Sequence, residues 1–159
     1  MVNKVVPGCF FDPSPPVALP DELLSTVDII KPDTKEAQVI TGIAVHDRDT
    51  ARVAAKQLLQ RGVQIVTVQA GNEGDLLVWR EGECWLPRIP LKSVDSTGAG
   101  DAFVAALTVA LIEGYSLEEA GPFARATAAL TTTKLGARPA LPTRQEVAAL
   151  LVHINRNTL

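Results

Sequence analysis

The chain has 159 residues, of which 47% are hydrophobic, so it fits one ordinary domain with a sizeable core. Its net charge of −3 comes with dispersed lysines and arginines, and its longest apolar runs, such as Ala102 to Ile112, are too short to span a bilayer. We therefore expect neither a nucleic-acid partner nor a membrane partner. Cys9 and Cys84 lie far apart, and no signal peptide precedes the first predicted strand, so we expect a cytoplasmic protein.

The first part of the chain alternates between strand and helix patterns at the spacing typical of an α/β protein. Its predicted elements are, in chain order, a strand at 5–11, a short helix at 21–26, a buried strand at 27–30, a helix at 34–41 that stops at Gly42, and a helix capped by Thr50 that ends at Gly62.

The same alternation continues to the end of the chain, without an internal repeat or an inter-domain linker. We therefore expect one three-layer α/β/α unit, with helices covering a mostly parallel sheet. The remaining predicted elements are a strand at 63–68, a hairpin at 74–87 that turns at Glu81-Gly82, an apolar helix starting near Asp101, a helix from Leu117 to about Thr133 capped by Ser116, and a last helix beginning at Thr143.

The stretch VDSTGAGDAF, residues 94–103, places a glycine turn before the apolar helix. Gly98 and Gly100 allow close approach of the backbone, and the first amides of a helix have no internal acceptors. The stretch therefore predicts an anion hole for a phosphate, strengthened by the helix dipole. It is not a Walker loop, because no lysine follows Gly100.

Asp101 lies where it would compete with a phosphate unless it acts on the reacting group. A carboxylate beside a γ-phosphate could take the proton from a hydroxyl as that hydroxyl attacks. The alternative is that Asp101 only caps the helix and the glycines only let it pack. The motif alone leaves both interpretations open.

DSTGAGDAF closely resembles the second signature of the ribokinase family of carbohydrate kinases. The resemblance covers essentially the whole chain and implies a ribokinase-like fold, with ATP, Mg²⁺ and K⁺ as cofactors and a primary sugar hydroxyl as the phosphoryl acceptor. Three more segments resemble the family in the same order: LPDELLSTVDIIKPDTKEAQVITG with its NxxE motif, VTVQAGNEGDLLV with the turn that receives ATP, and KLGARPALPTRQEV with the C-terminal loop and final helix.

The resemblance implies a catalytic role for the glycine turn. Asp101 would be the general base, and the amides of Gly98, Ala99 and Gly100 would form the anion hole for the transferred phosphoryl group. Glu36 would help to hold Mg²⁺ and its waters, although by itself it is equally typical of a solvated helix carboxylate.

The resemblance also implies a nucleotide site and a site for a monovalent cation. The glycines of QAGNEG would let the nucleotide lie against the backbone, although any strand-to-hairpin turn uses such glycines. The loop at the end of the chain is, alternatively, a plain glycine-containing helix stop. The implied residues are Asp33, Gln69, Ala70, Gly71, Asn72, Glu73, Gly74, Gly100 and Arg125 for the nucleotide, and Asp95 and Thr97 with carbonyls around Thr131, Lys134, Gly136 and Ala140 for the cation.

Three residues depart from the family pattern. Asp33 replaces the asparagine of NxxE and adds a negative charge beside the phosphates, which weakens ATP binding unless a cation compensates. Gln69 stands where many members have Thr or Ser, and Arg125 stands near the adenine where Asn or His is common.

The chain resembles only the C-terminal, ATP-side half of such a kinase, because no Gly-Gly pair and no sugar-gripping motif are present. It is either a fragment or the product of a shortened gene. Two function classes stay open: the catalytic half of a sugar kinase, inactive without its other half, and a non-catalytic nucleotide-binding or interaction module. We also expect homodimers or other association through the sheet edge that faces the missing half.

Overall fold

The computed structural model describes residues 8–157, except for the side chain of Asn157. The first three residues of the expected opening strand, 5–7, lie outside the described residues. The described chain divides into two compact units, residues 8–88 and residues 89–157. No helix in this part of the chain is long and apolar enough to cross a membrane.

The first unit holds a five-stranded sheet. The strands lie in sequence order, with parallel pairing between the first three and antiparallel pairing between the last three. Four of the five strands therefore point in the same direction. The elements are β1 (Phe10–Phe11), α1 (Asp21–Leu24), β2 (Ile29–Ile30), α2 (Thr34–Thr41), α3 (Arg48–Gln60), β3 (Ile65–Ala70), β4 (Gly74–Trp79) and β5 (Gly82–Pro87).

The core of this unit forms where α2 and α3 pack on the sheet. α3 buries a small apolar stripe, which lets the helix approach the strands closely, and Leu58 fills the space near its end. A fully buried leucine or valine contributes roughly 1.5–3 kcal/mol. The main contributors are Ile30, Ala37, Ala51, Ala54, Ala55, Leu58, Val66, Val68, Leu76 and Val78.

Local hydrogen bonds set the ends of these elements and correct some expected boundaries. α2 begins at Thr34 and ends at Thr41 before a left-handed Gly42, as predicted. α3 begins at Arg48, earlier than expected, because Asp47 is its N-cap and Thr50 is not. The Asp47 carboxylate accepts from Thr50 N–H at 2.8 Å, and the Thr50 hydroxyl accepts from Asp47 N–H at 3.1 Å.

The first two strands and α1 are shorter than predicted. N–H groups of Gly8 and Cys9 donate to the Asp28 carboxylate, so only Phe10 and Phe11 join the ladder as β1. Val27 N–H donates back to the Leu24 carbonyl, which makes a turn between α1 and β2.

The hairpin of β4 and β5 turns one residue earlier than expected. Trp79 pairs with Gly82, so Arg80 and Glu81 form the turn and Gly82 belongs to the strand. A side chain on Gly82 would meet the Trp79 ring at 2.9 Å. The glycine is needed here to make room for the indole.

The second unit is helical: α4 (Ala99–Ile112), α5 (Leu117–Thr131), α6 (Ala137–Ala140) and α7 (Arg144–Asn157), with α5 packed between α4 and α7. α4 begins two residues before Asp101, as predicted. Ser116 caps α5 in a capping box with Glu119, and the Thr143 N–H donates to Glu146 at the start of α7. The sequence did not predict the short helix α6.

Glu83 ties β5 to α3 through two arginines. Its carboxylate accepts from Arg52 Nε at 2.6 Å and Nη2 at 2.8 Å, and from Arg48 Nη2 at 3.0 Å. The hydrogen bonds from Arg52 are the main reason that the pKa of Glu83 falls to about 2. A lowered carboxyl pKa stabilises the fold above the unfolded value and loses that effect as the pH falls toward the folded one.

We expect Glu83→Gln to lower stability at neutral pH and to flatten its acid dependence. The wild type should lose the Glu83 contribution as the pH falls from about 4.5 toward 2, whereas the variant has none to lose. Urea unfolding at neutral and acid pH measures this. The matched control is Glu81→Gln, an exposed carboxylate of the hairpin turn. Equal acid dependence in both variants would contradict the assignment.

Candidate functional site

The turn before α4 is held at its entry by the loop after α5. Val94 and Asp95 N–H both donate to the Thr132 carbonyl, at 2.7 and 3.1 Å. Asp95 Oδ2 accepts from Gly136 N–H at 2.8 Å, and Asp95 Oδ1 accepts from Thr97 N–H at 2.9 Å. Bonds from the Thr97 hydroxyl and N–H, then from Gly136 N–H, hold the pKa of Asp95 below its usual value. Asp95 is therefore ionised at neutral pH.

Gly98 is the N-cap of α4 and has a left-handed backbone, with φ 78° and ψ 1°. A Cβ at this position would lie 2.7 Å from the Ala137 methyl carbon, closer than two carbons can approach. Glycine is thus required both by the backbone conformation and by the neighbouring side chain.

The first turn of α4 leaves backbone donors open. Ala99 N–H donates to the Ser96 carbonyl and Ala102 N–H to the Gly98 carbonyl. Within residues 8–157, the N–H groups of Gly98, Gly100 and Asp101 have no acceptor. Open N–H groups at a helix N-terminus favour an anion.

The Asp101 side chain is exposed in the third position of α4. No side-chain hydrogen bond caps this helix, and the Asp101 carboxylate accepts none from the described residues. The alternative interpretation of Asp101 as a helix cap is therefore wrong, because Gly98 fills that position. Its carboxylate is left available for chemistry.

The loop after α5 is not a glycine helix stop. α5 ends at Thr131 with Thr132 as its C-cap, and Gly136 is instead the N-cap of α6, with φ 84°. Thr131 is fully buried and its hydroxyl donates to the Thr127 carbonyl. In the described chain nothing donates to the carbonyls of Thr131, Lys134 and Ala140, while the Gly136 carbonyl accepts from Ala140 N–H. Carbonyl and carboxylate oxygens of this kind suit a hard cation.

Asp33 and Glu36 form a capping box at the start of α2. Asp33 Oδ1 accepts from Glu36 N–H and Glu36 Oε2 accepts from Asp33 N–H, both at 2.8 Å. Glu36 is only 6% exposed, so its interpretation as a solvated helix carboxylate is wrong. Its second oxygen has no donor among the described residues. No three His, Cys, Asp or Glu side chains in the described part of the chain group to hold a metal.

The segment Gln69–Gly74 runs from the end of β3, through a turn at residues 71–73, to the first residue of β4. Gly71 has φ 63°, and a Cβ there would lie 2.9 Å from the His46 carbonyl oxygen. A Cβ on Gly74 would lie 2.3 Å from the Leu86 carbonyl oxygen. Backbone conformation and a neighbouring carbonyl therefore account for each glycine, with the loop before α3 crowding Gly71 and β5 crowding Gly74. Gln69 is half-buried, Ala70 is buried, and Asn72 and Glu73 are exposed.

Arg125, the residue predicted to lie near the adenine, is half-buried on α5.

The structure brings some of the predicted site residues together within each unit. The second unit joins Asp95, Thr97, Gly98 and Gly136, and the first unit joins Asp33 to Glu36. Sequence reasoning missed Thr132 and Ala137. Thr132 acts through its backbone carbonyl, and every residue type has one, so the sequence carries no signal for it. For Ala137 there is an indirect signal, because the glycine at position 98 indicates that another part of the chain lies close to the turn.

The sequence profile described as pfkB family carbohydrate kinase matches residues 2–144. A ribokinase from Haemophilus influenzae is 38% identical over 143 residues, which cover 89% of this chain and 46% of that protein. The chain belongs to the pfkB family of carbohydrate kinases. It spans about half the length of the curated relatives that it matches.

Solved structures show the same fold. The ribokinase of Arabidopsis thaliana, complexed with ribose and ATP, aligns with a TM-score of 0.82 and 36% identity over 89% of this chain and 46% of that one. Phosphofructokinase-2 from Escherichia coli, in complex with potassium, aligns with a TM-score of 0.75 and 27% identity over 92% of this chain and 47% of that one. The ribokinase-like α/β fold class predicted from the sequence is confirmed.

We expect Gly98→Ala to destabilise the protein more than Gly42→Ala does. Both glycines have nearly the same backbone, φ 78° and ψ 1° against φ 74° and ψ 2°, so both variants carry the left-handed cost of roughly 1–2 kcal/mol. Only Gly98 also has a neighbour in the way, since nothing lies within 4 Å of a Cβ on Gly42. Urea unfolding measures the two free energies, and equal losses would show that the Ala137 contact is unimportant.

Proposed function

We propose that this chain is the C-terminal, nucleotide-binding and catalytic part of a sugar kinase, which transfers a phosphoryl group from MgATP to a primary sugar hydroxyl. Its sugar-binding part and lid would belong to sequence that residues 1–159 do not include. Membership of the pfkB family supports the reaction class. The observation that carries the proposal is the unpartnered Asp101 carboxylate beside the open N–H groups of Gly98, Gly100 and Asp101.

In this proposal, Asp101 takes the proton of the sugar hydroxyl as the hydroxyl oxygen attacks the γ-phosphorus, while the bond between that phosphorus and the bridging oxygen breaks and ADP leaves. The open N–H groups and the α4 dipole stabilise the charge on the phosphoryl oxygens. Such transfer depends mainly on positioning and charge stabilisation, because little covalent chemistry is left to the protein. Mg²⁺, when bound, would supply further neutralisation of the phosphate charge.

The other residues have supporting roles. Gln69, Ala70, Gly71, Asn72, Glu73 and Gly74 would contact the nucleotide, and Arg125 would lie near the adenine. Glu36 would face Mg²⁺ through water. Asp95 and Thr97, with the carbonyls of the loop after α5, would hold K⁺. A relative whose structure contains potassium supports the last role, and one complexed with ribose and ATP supports the substrates.

The second candidate is a nucleotide-binding module without kinase activity, or one that associates with other chains. In both cases β1 is an edge strand of the described sheet, and its outer side is where we expect a second copy to associate.

The test is Asp101→Asn in the presence of the remaining half of a ribokinase, supplied as a separate chain. We expect sugar phosphorylation by the mixture, and a fall of roughly 10²–10⁴-fold in the variant, since a general base contributes about that much. MgATP binding, measured by calorimetry, should be largely unchanged. The matched control is Glu118→Gln, which removes an exposed carboxylate from the first turn of α5.

The chain alone should show at most slow ATP hydrolysis. Holding both reactants together can supply an effective molarity of about 10⁵ M or more, and nothing recognisable in this chain holds a sugar. Absence of MgATP binding by the folded chain would overturn the proposal. MgATP binding without activity in the mixture would favour the module.

We expect Asp33→Asn to tighten MgATP binding several-fold. Asparagine caps a helix as well as aspartate does, so α2 should persist while one negative charge beside the phosphates is removed. The gain should shrink at high salt. The matched control is Asp47→Asn, which changes the equivalent N-cap of α3. The measurement is the MgATP affinity of both variants by calorimetry at two salt concentrations. An equal change in affinity for both variants would contradict a position of Asp33 beside the phosphates.

A further inference from the structure

Ala137, the first residue of α6, contacts the turn at the start of α4. Its methyl carbon lies 2.7 Å from where a Cβ on Gly98 would be, and its Cα lies 3.2 Å from the same point. The Ala137 methyl group therefore occupies the space that a side chain at Gly98 would need. We propose that Ala137 is a positioning residue, which sets the orientation of the phosphate-binding turn for the transferred phosphoryl group. This rests on the proposed function.

The hydrogen bonds of the turn hold its entry and do not orient its tip, so we assign that role to the contact between Ala137 and Gly98. The entry of the turn is anchored, through Val94 and Asp95, to Thr132 and Gly136. Further along, the hydrogen bonds of residues 96–101 that the described structure contains stay within the turn and α4. Among residues 8–157, no hydrogen bond ties the tip to another element, so we assign the task of limiting its rotation to the contact at Gly98.

The conformation of Gly98 makes the tip sensitive to this neighbour. A left-handed glycine has no side chain to restrict it, and glycine reaches more of the backbone map than any other residue. The open N–H groups of Gly100 and Asp101 lie two and three residues after it. Since hydrogen bonds weaken steeply as their angle departs from linear, a small rotation at Gly98 would misdirect both donors.

Both a smaller and a larger residue at position 137 should therefore disturb the turn. Ala137→Gly leaves the space beside Gly98 empty and frees the tip. Ala137→Val adds two methyl groups to the side chain that lies beside Gly98, and this enlargement should push on the turn. Ala137 is only half-buried, so neither change removes a core side chain.

The test compares MgATP and MgADP binding by calorimetry in both variants. ADP lacks the phosphoryl group that the turn would hold, so a positioning role weakens MgATP alone. We expect a loss of about fivefold or more for MgATP and less than about twofold for MgADP. The controls are Ala149→Gly and Ala149→Val on the exposed side of α7, which should alter neither affinity.

Hydrogen exchange of the two hydrogen-bonded amides in residues 96–101, those of Thr97 and Ala99, gives a readout that needs no nucleotide. Their exchange should rise in Ala137→Gly, while the amides of α5 keep their protection. Equal weakening of MgATP and MgADP, or unchanged affinity in both variants, would overturn the inference. If the wild-type chain binds neither nucleotide, the proposed function fails, and unchanged exchange of these two amides would then also overturn the role of Ala137.

Discussion

The Asp95 carboxylate joins two backbone segments that lie 41 residues apart, and the geometry of the candidate phosphate site depends on it. One oxygen accepts from Gly136 N–H and the other from Thr97 N–H. Because these donors lower the pKa of Asp95, the group stays charged and the bonds stay charge-assisted at neutral pH. The start of α4 is thereby placed by tertiary contacts, and it needs no cap of its own.

The longer helices of this protein differ in how the N–H groups of their first turns are satisfied. α2, α3 and α5 each begin with a capping box that uses two of the free N–H groups. α4 begins at a glycine that has no side chain to cap it, so its donors stay open. The short helices α1 and α6 also begin without a side-chain cap. Open N–H groups at the start of a helix can be satisfied by water or by an anion.

Much of the fold could be predicted because its signals are local. The stop of α2 at Gly42 and the Ser116 cap of α5 follow from residue type and spacing. The start of α3 was predicted wrongly because Asp47 and Thr50 are both good caps, and the sequence does not say which one takes the N-cap position. The hairpin turn was misplaced because Gly82 serves the Trp79 ring and not the turn.

In the candidate site, too, residues with a local signal could be predicted, and residues whose role depends on distant partners could not. The glycine turn and Asp101 could be predicted from residue type, because glycines allow close approach of the backbone to an anion and a carboxylate can act as a base. By contrast, Gly136 was open to interpretation as a helix stop because its partner, Asp95, is distant in sequence. Glu36 was open to interpretation as solvated because burial depends on neighbours that a motif does not contain. Thr132 acts only through its carbonyl oxygen, and Ala137 only through its size.

The proposal separates the part of the enzyme that holds the phosphoryl donor from the part that holds the acceptor, and this separation follows from the chemistry of phosphoryl transfer. In the proposed function, the donor side needs a fixed set of N–H groups and a base, and residues 94–101, held by the loop after α5, would provide these. The acceptor side needs a second surface that holds a hydroxyl in line with the transferred phosphoryl group, so it depends on position more than on reactive groups. Nucleotide binding and sugar phosphorylation would then be separable properties, because the first would depend on the donor side and the second on how a sugar is held against Asp101.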